Sequence, residues 1–224
     1  MSFEIVPLLV LGFGLGLMHA LDADHVMAVS NLSNQRPGLA RTLRFSAHWA
    51  LGHGGVLLLS GALLFSLGWA LPQALQSAAE ISVGVLLIAL GLFCFWQFRQ
   101  ENIRLVEHRH GELVHTHLAQ GQDDEHAKNA KHTPVLVGVL HGLAGSAPAL
   151  ALVPAVGQGQ LSVALVYLVI FSLGVMLSML LFGLGFGFMQ KTLQQRYQQL
   201  FSYSRRLIAA TSIIIGSYWL VQAL

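Results

Sequence analysis

Charge is what this chain has least of. Only 10% of its 224 residues are Asp, Glu, Lys or Arg, against about 25% in an ordinary soluble domain. The shortage points to lipid rather than water as the main solvent. Cysteine is nearly missing too, because Cys94 stands alone in an apolar run. One thiol can neither close an internal disulfide nor form the thiol pair of a transmembrane electron carrier, so Cys94 reads as lipid-facing or packing filler. No charged segment leads into a short apolar core with a small-residue cleavage site, and no removable signal peptide is expected. No Gly-x4-Gly-Lys-Ser/Thr phosphate loop is present, so ATP hydrolysis would need a separate subunit. The formal charge is only +2 and the basic residues sit in separate short loops. That argues against a nucleic-acid partner.

What is there is apolar length. Hydrophobic residues make up 54% of the chain, and several stretches reach the roughly 20 apolar residues a membrane helix needs. The pattern predicts an all-α, polytopic membrane protein with six transmembrane helices, at about 5–30, 43–66, 79–98, 134–156, 161–188 and 206–223. Basic residues then fall on alternate connections. Arg36, Arg41 and Arg44 belong to the first, Arg99, Arg104, Arg109, Lys128 and Lys131 to the third, and Lys191, Arg196, Arg205 and Arg206 to the fifth. Those are all twelve. The positive-inside rule places these connections in the cytoplasm and both termini outside, in the inner membrane of a cell.

An internal echo suggests a 3+3 inverted repeat. "GLMHALDADH" (16–25) aligns with "GVLHGLAGSA" (138–147), setting His19 against His141 and Gly16 against Gly138. The same offset of 122 carries Leu51–Gly52 onto Leu173–Gly174 in the next helix. Repeats of opposite orientation mark secondary transporters, whose substrate site lies near mid-bilayer where the repeats meet. The expected organisation is a first three-helix repeat at 1–98, a cytoplasmic loop at 99–133 and a second repeat at 134–224. Gly12 with Gly16, and Gly183 with Gly187, have the spacing of close helix contacts, although glycine is common in membrane helices anyway. Gly142, Gly145 and Pro148 should loosen or kink the fourth helix.

Within the first span, "HALDADH" places His19, Asp22, Asp24 and His25 in seven residues. One charge at the centre of a membrane helix costs about 2.5–3.5 kcal/mol on insertion scales. Four such groups need water, an ion or one another. On an unbroken helix His19, Asp22 and His25 form a stripe and Asp24 points away. Imidazole, carboxylate, imidazole is a nitrogen and oxygen set suited to Ni²⁺, Co²⁺ or Zn²⁺, without the thiolates that favour Cu⁺. Asp24 either orients a ligating histidine or ligates directly if the helix deforms. The next helix carries "SAHWALGHGG". His53, among Gly52, Gly54 and Gly55, is the stronger candidate, and His48 lies nearer the cytoplasmic end. Taken alone, His48 or His141 reads equally as a hydrogen-bonded packing residue.

The third connection is the chain's one extended hydrophilic segment, with six histidines at 108, 110, 115, 117, 126 and 132. "HRHGELVHTH" repeats His-x-His about a glycine, so His108, His110, His115 and His117 are candidates for cytoplasmic metal capture. The bland reading is a solvated connector.

"HALDADH" resembles the His-x4-Asp-His signature of the nickel/cobalt transporter family, and Asn31 falls where that family carries an asparagine. "ALGHGGV" around His53 is similar to the family's Leu-Gly-His stretch, and "LHGLAGSAPAL" (140–150) looks like the six-helix urease-associated membrane transporters grouped with it. The resemblance implies translocation of Ni²⁺ or Co²⁺ as substrate, with no permanent cofactor. It also implies His19, Asp24 and His25 as metal-handling residues. Asn31, His48, His141 and Ser146 are the candidates for second-repeat or supporting positions. A cytoplasmic metallochaperone or nickel-enzyme maturation factors are the partners the resemblance brings into view. The family's larger members have eight spans and an acidic motif in the fifth helix, neither of which is matched here. Uptake is the favoured direction and efflux by the same machinery the alternative. Less favoured are a membrane-bound His-cluster oxidase, which needs its histidines fixed at one bilayer face, and a thiol electron carrier on a similar scaffold.

Overall fold

Long apolar runs with few breakers give long helices. The computed structural model describes residues 5–35, 38–67, 72–103, 107–110, 113–116, 133–145 and 160–223. The helices are α1 (Ile5–His19), α2 (Ala23–Gln35), α3 (Leu39–Leu67), α4 (Gln73–Ile103), α5 (Thr133–Gly145), α6 (Leu161–Arg196) and α7 (Gln198–Ala223). Among the described residues, α3, α4, α6 and α7 are each long and apolar enough to cross a bilayer, and α1 with α2 passes the same test as a bent pair, for four to five spans by length and composition. α5 is a shorter apolar helix ending at Gly145. The rest of the fourth expected span, with Pro148, lies outside the described residues. Most helices outrun their apolar cores: α4 extends to Ile103 and α6 to Arg196. Gln, Lys and Arg are good helix formers and carry the helix into the polar zone.

The first span departs from expectation. It is not one helix, because α1 and α2 meet at 51° across Ala20–Asp22. The turn tightens first, with Leu21 N–H donating to Met18 O (2.9 Å) and Asp22 N–H to His19 O (3.1 Å). Val26 N–H then donates to Asp22 O (3.1 Å) and starts α2. Asp22 thus stands at the N-cap and Asp24 in the first turn, where the helix dipole favours carboxylates.

α6 packs between α1 and α3, α5 lies against the other side of α3, and α4 pairs along its length with α7. Glycine allows the closest of these approaches. A Cβ at Gly16 would overlap the Phe171 carbonyl, and one at Gly138 the Trp49 carbonyl. Likewise Gly174 meets the Phe13 carbonyl and Gly52 the Val135 carbonyl. In both cases the second contact is the first moved by 122 positions with the two helices exchanged. Gly183 and Gly187 press on Ser46, Thr42 and Leu39 of α3, so their spacing does mark a helix contact.

Two short antiparallel strands, β1 (Glu107–His110) and β2 (Leu113–Thr116), pair His108 with His115 and His110 with Leu113. His117 lies outside the described residues. Cys94 does not face lipid: it is buried with Phe98 and Ala209, its thiol 3.7 Å from the Asn31 carbonyl.

Candidate metal site

The break in the first span sets the site. His19 closes α1 and His25 lies in the first turn of α2, and their rings meet edge-on at 4.7 Å between centroids. α3 brings in His53, 5.3 Å from His19 and 5.1 Å from His25. α5 brings in His141, 5.4 Å from His25. His25, His53 and His141 are 0–1% exposed. Nitrogens of His19, His25 and His53 all lie within 4.8 Å of one another. Bonds of about 2.1 Å put the ligands of one ion roughly 3–4 Å apart, so a contraction of about 1 Å closes these three around it.

Hydrogen bonds fix which nitrogens are available. His19 Nδ1 donates to Asp22 Oδ2 and His25 Nδ1 to Asp24 Oδ1, both at 2.8 Å. His141 Nδ1 donates to the Val137 carbonyl at 2.8 Å. An ionised carboxylate or a carbonyl only accepts, so each neutral ring keeps its lone pair on Nε2. Those three Nε2 atoms, and both nitrogens of His53, have no partner among the described residues. This is the carboxylate–imidazole arrangement that orients metal ligands and raises their basicity. Asp24, 1% exposed, has no partner for its second oxygen among the described residues.

The stripe expected on an unbroken helix does not form. The break turns Asp22 outward, its side chain 55% exposed, and carries Asp24 inward beside His25. His48 on α3 is half-buried and its Nδ1 donates to the Arg44 carbonyl (2.7 Å), apart from the cage. Asn31 donates from Nδ2 to Met27 O (2.9 Å), roughly 9 Å of helix rise beyond His25. Ser146 lies outside the described residues.

Two aromatic walls were missed in the sequence. Trp49 stacks on His53 at 4.9 Å and 15° and touches the rings of His25 and His141. Phe171 closes the opposite side, 5.7 Å from His19. The signal was there, since Trp49 stands four residues before His53, one helical turn.

The transmembrane region of cytochrome C biogenesis proteins, as a family, matches residues 8–217. A urease accessory protein, UreH, of Bacillus sp. (strain TB-90) is 30% identical over 183 residues, covering 80% of this chain and 75% of that protein. A high-affinity nickel transport protein of Cupriavidus necator is 33% identical over 86 residues, 38% of this chain and 24% of that protein. No solved structure matches. The chain therefore belongs to the membrane family described as the cytochrome C biogenesis protein transmembrane region, and its relatives place it with the nickel/cobalt and urease-associated transporters. It is a nickel-related, multi-pass membrane protein.

Proposed function

We propose that this chain is a six-span permease for Ni²⁺ or Co²⁺, built as a 3+3 inverted repeat with both termini outside the inner membrane, working in uptake. The exchanged glycine contacts, Gly16–Phe171 with Gly138–Trp49, support the repeat. So do the ring contacts His19–Phe171 (5.7 Å) and His141–Trp49 (5.8 Å), which are related by the same offset. The basic connections support the orientation. The nickel transport and urease accessory relatives support the metal, and the latter supports partners among nickel-enzyme maturation factors.

One observation carries the reading: four buried or half-buried imidazoles converge, and the hydrogen bonds leave a lone pair on each facing ring. The ion exchanges water for Nε2 of His19 and His25 and for a nitrogen of His53, with His141 as fourth donor. Asp22 and Asp24 hold two rings in register and offset the dication's charge, as carboxylates at the positive end of α2. Nitrogen donors without thiolate suit Ni²⁺ and Co²⁺. No ATP is required. A dication moving down about 100 mV gains about 4.6 kcal/mol, roughly three decades of accumulation.

The test is radioactive-nickel uptake by cells carrying His19→Ala or Asp24→Asn at normal membrane abundance. Parental uptake by either variant ends the proposal. A deletion strain that over-accumulates nickel and becomes sensitive to it assigns the same site to efflux.

A further inference from the structure

Beyond the histidine cage, toward the α2–α3 connection, a second polar layer is buried between α2, α3 and α6. Asn34, Thr42, Ser46 and Gln190 are 0–2% exposed, as deep as the imidazoles. The Gln190 side-chain amide donates to Asn34 Oδ1, tying α6 to α2. Gly183 lies against Ser46 and Gly187 against Thr42. Since 183, 187 and 190 share one face of α6, and 42 and 46 one face of α3, the four side chains meet in a single interface.

Most of their polar atoms are unused. The Thr42 and Ser46 hydroxyls, Asn34 Nδ2 and Gln190 Oε1 have no partner among the described residues, and neither has Asn31 Oδ1 one turn away. Hydroxyls in a membrane helix can satisfy themselves on the carbonyl four residues back. Ser60, Ser66 and Ser82 do so at 2.6–2.7 Å. Thr42 and Ser46 do not. Buried polar groups left unmade in this way call for a partner, and unpaired oxygens of this kind suit a water or a cation admitted between the helices. The groups are neutral and mostly oxygen, with no imidazole or carboxylate among them. Such a set holds a divalent cation weakly. Ser46 is seven residues, roughly 10 Å, from His53 along α3. Along α2, α3 and α6 the positions between the two layers include Val29, Trp49 and Met179, all of the apolar core.

We propose that this layer is a second, weaker cation station, which receives the dication after it leaves the histidine cage. This rests on reading the cage as the transport site. A tight site followed by a weak one lets an ion that binds strongly also leave.

Cobalt(II) is the probe, with full-length protein purified and placed in liposomes. Wild type should hold one Co²⁺ per chain at equilibrium. Gln190→Glu adds a carboxylate to the layer and should hold two, the second surviving His53→Leu. Gln190→Leu should slow Co²⁺ entry at least about tenfold with the affinity of the first Co²⁺ unchanged, and the near-isosteric Thr42→Val should slow it in the same sense. One Co²⁺ in Gln190→Glu overturns the proposal, and so does wild-type entry by both Gln190→Leu and Thr42→Val, or a parallel loss of first-site affinity. Wild type that binds no Co²⁺ overturns the cage reading and this one with it. Wild type binding one while Gln190→Glu also binds one removes the second station alone.

Discussion

The segments around Gly16 and Gly138 make the same backbone contact and end differently. Both press a glycine onto the carbonyl of an aromatic residue, Phe171 in one case and Trp49 in the other. Both then present a histidine, His19 or His141. After that they diverge. Where the first has Asp22, Asp24 and His25, the second has Ala144, Ser146 and Ala147, and opposite His53 stands Val175. The close contact depends on glycine alone, so it is a property of the scaffold. The charge belongs to one side, because a second set of buried carboxylates without its own ion would cost free energy and bind nothing.

The sharpest way to break this comparison is to remove chemistry from the charged side and leave the contact intact. His25→Ala and His53→Leu should each lower nickel uptake by at least about a hundredfold, as expected for loss of one ligand of a small site, with normal abundance in the membrane. The contact itself comes next. Gly16→Val and Gly138→Val should both abolish folded, detergent-stable protein, while Gly185→Ala, with nothing within 4 Å of its Cβ, should not. Thermal stability of the three proteins decides this, and a tolerant Gly138→Val would mean that the two contacts are not equivalent. Asp24→Asn should keep the fold and weaken metal binding about 10–100-fold, the usual effect of losing an orienting carboxylate. Calorimetry on purified protein measures it. Smallest of all, His48→Ala should change uptake less than about twofold, since that ring only bonds the Arg44 carbonyl. Replacing residues 107–116 with a Gly/Ser linker should act only at low external nickel, if that segment captures metal.

The sequence made the apolar helices legible because lipid demands length and little charge, and α3, α4, α6 and α7 follow those runs. It also pointed to His53 over His48 through the glycines around it. The shape of the first span was not legible. "HALDADH" contains no proline or glycine, so helical spacing gave a stripe, and the signal passed over was Asp22, a residue type that favours N-caps. The break at Ala20–Asp22 is held by local bonds instead: Asp22 caps α2 and bonds the His19 ring, and Asp24 bonds the neighbouring His25 ring. The second polar layer escaped for another reason. Ser, Thr, Asn and Gln at a helix end look like an ordinary exit from the membrane until α6 is seen covering them.

The distance along the chain between Gly16 and its seat on Phe171 has a consequence for biogenesis. At about 5–20 residues per second, the ribosome needs roughly 8–30 s to make the helix that covers the first span. During that interval the kinked, acidic opening segment is in the translocation machinery or the bilayer without its partner. Cells starved of insertion factors should therefore lose this protein through its first segment, and a shortened chain ending before α6 should be cleared rather than stored.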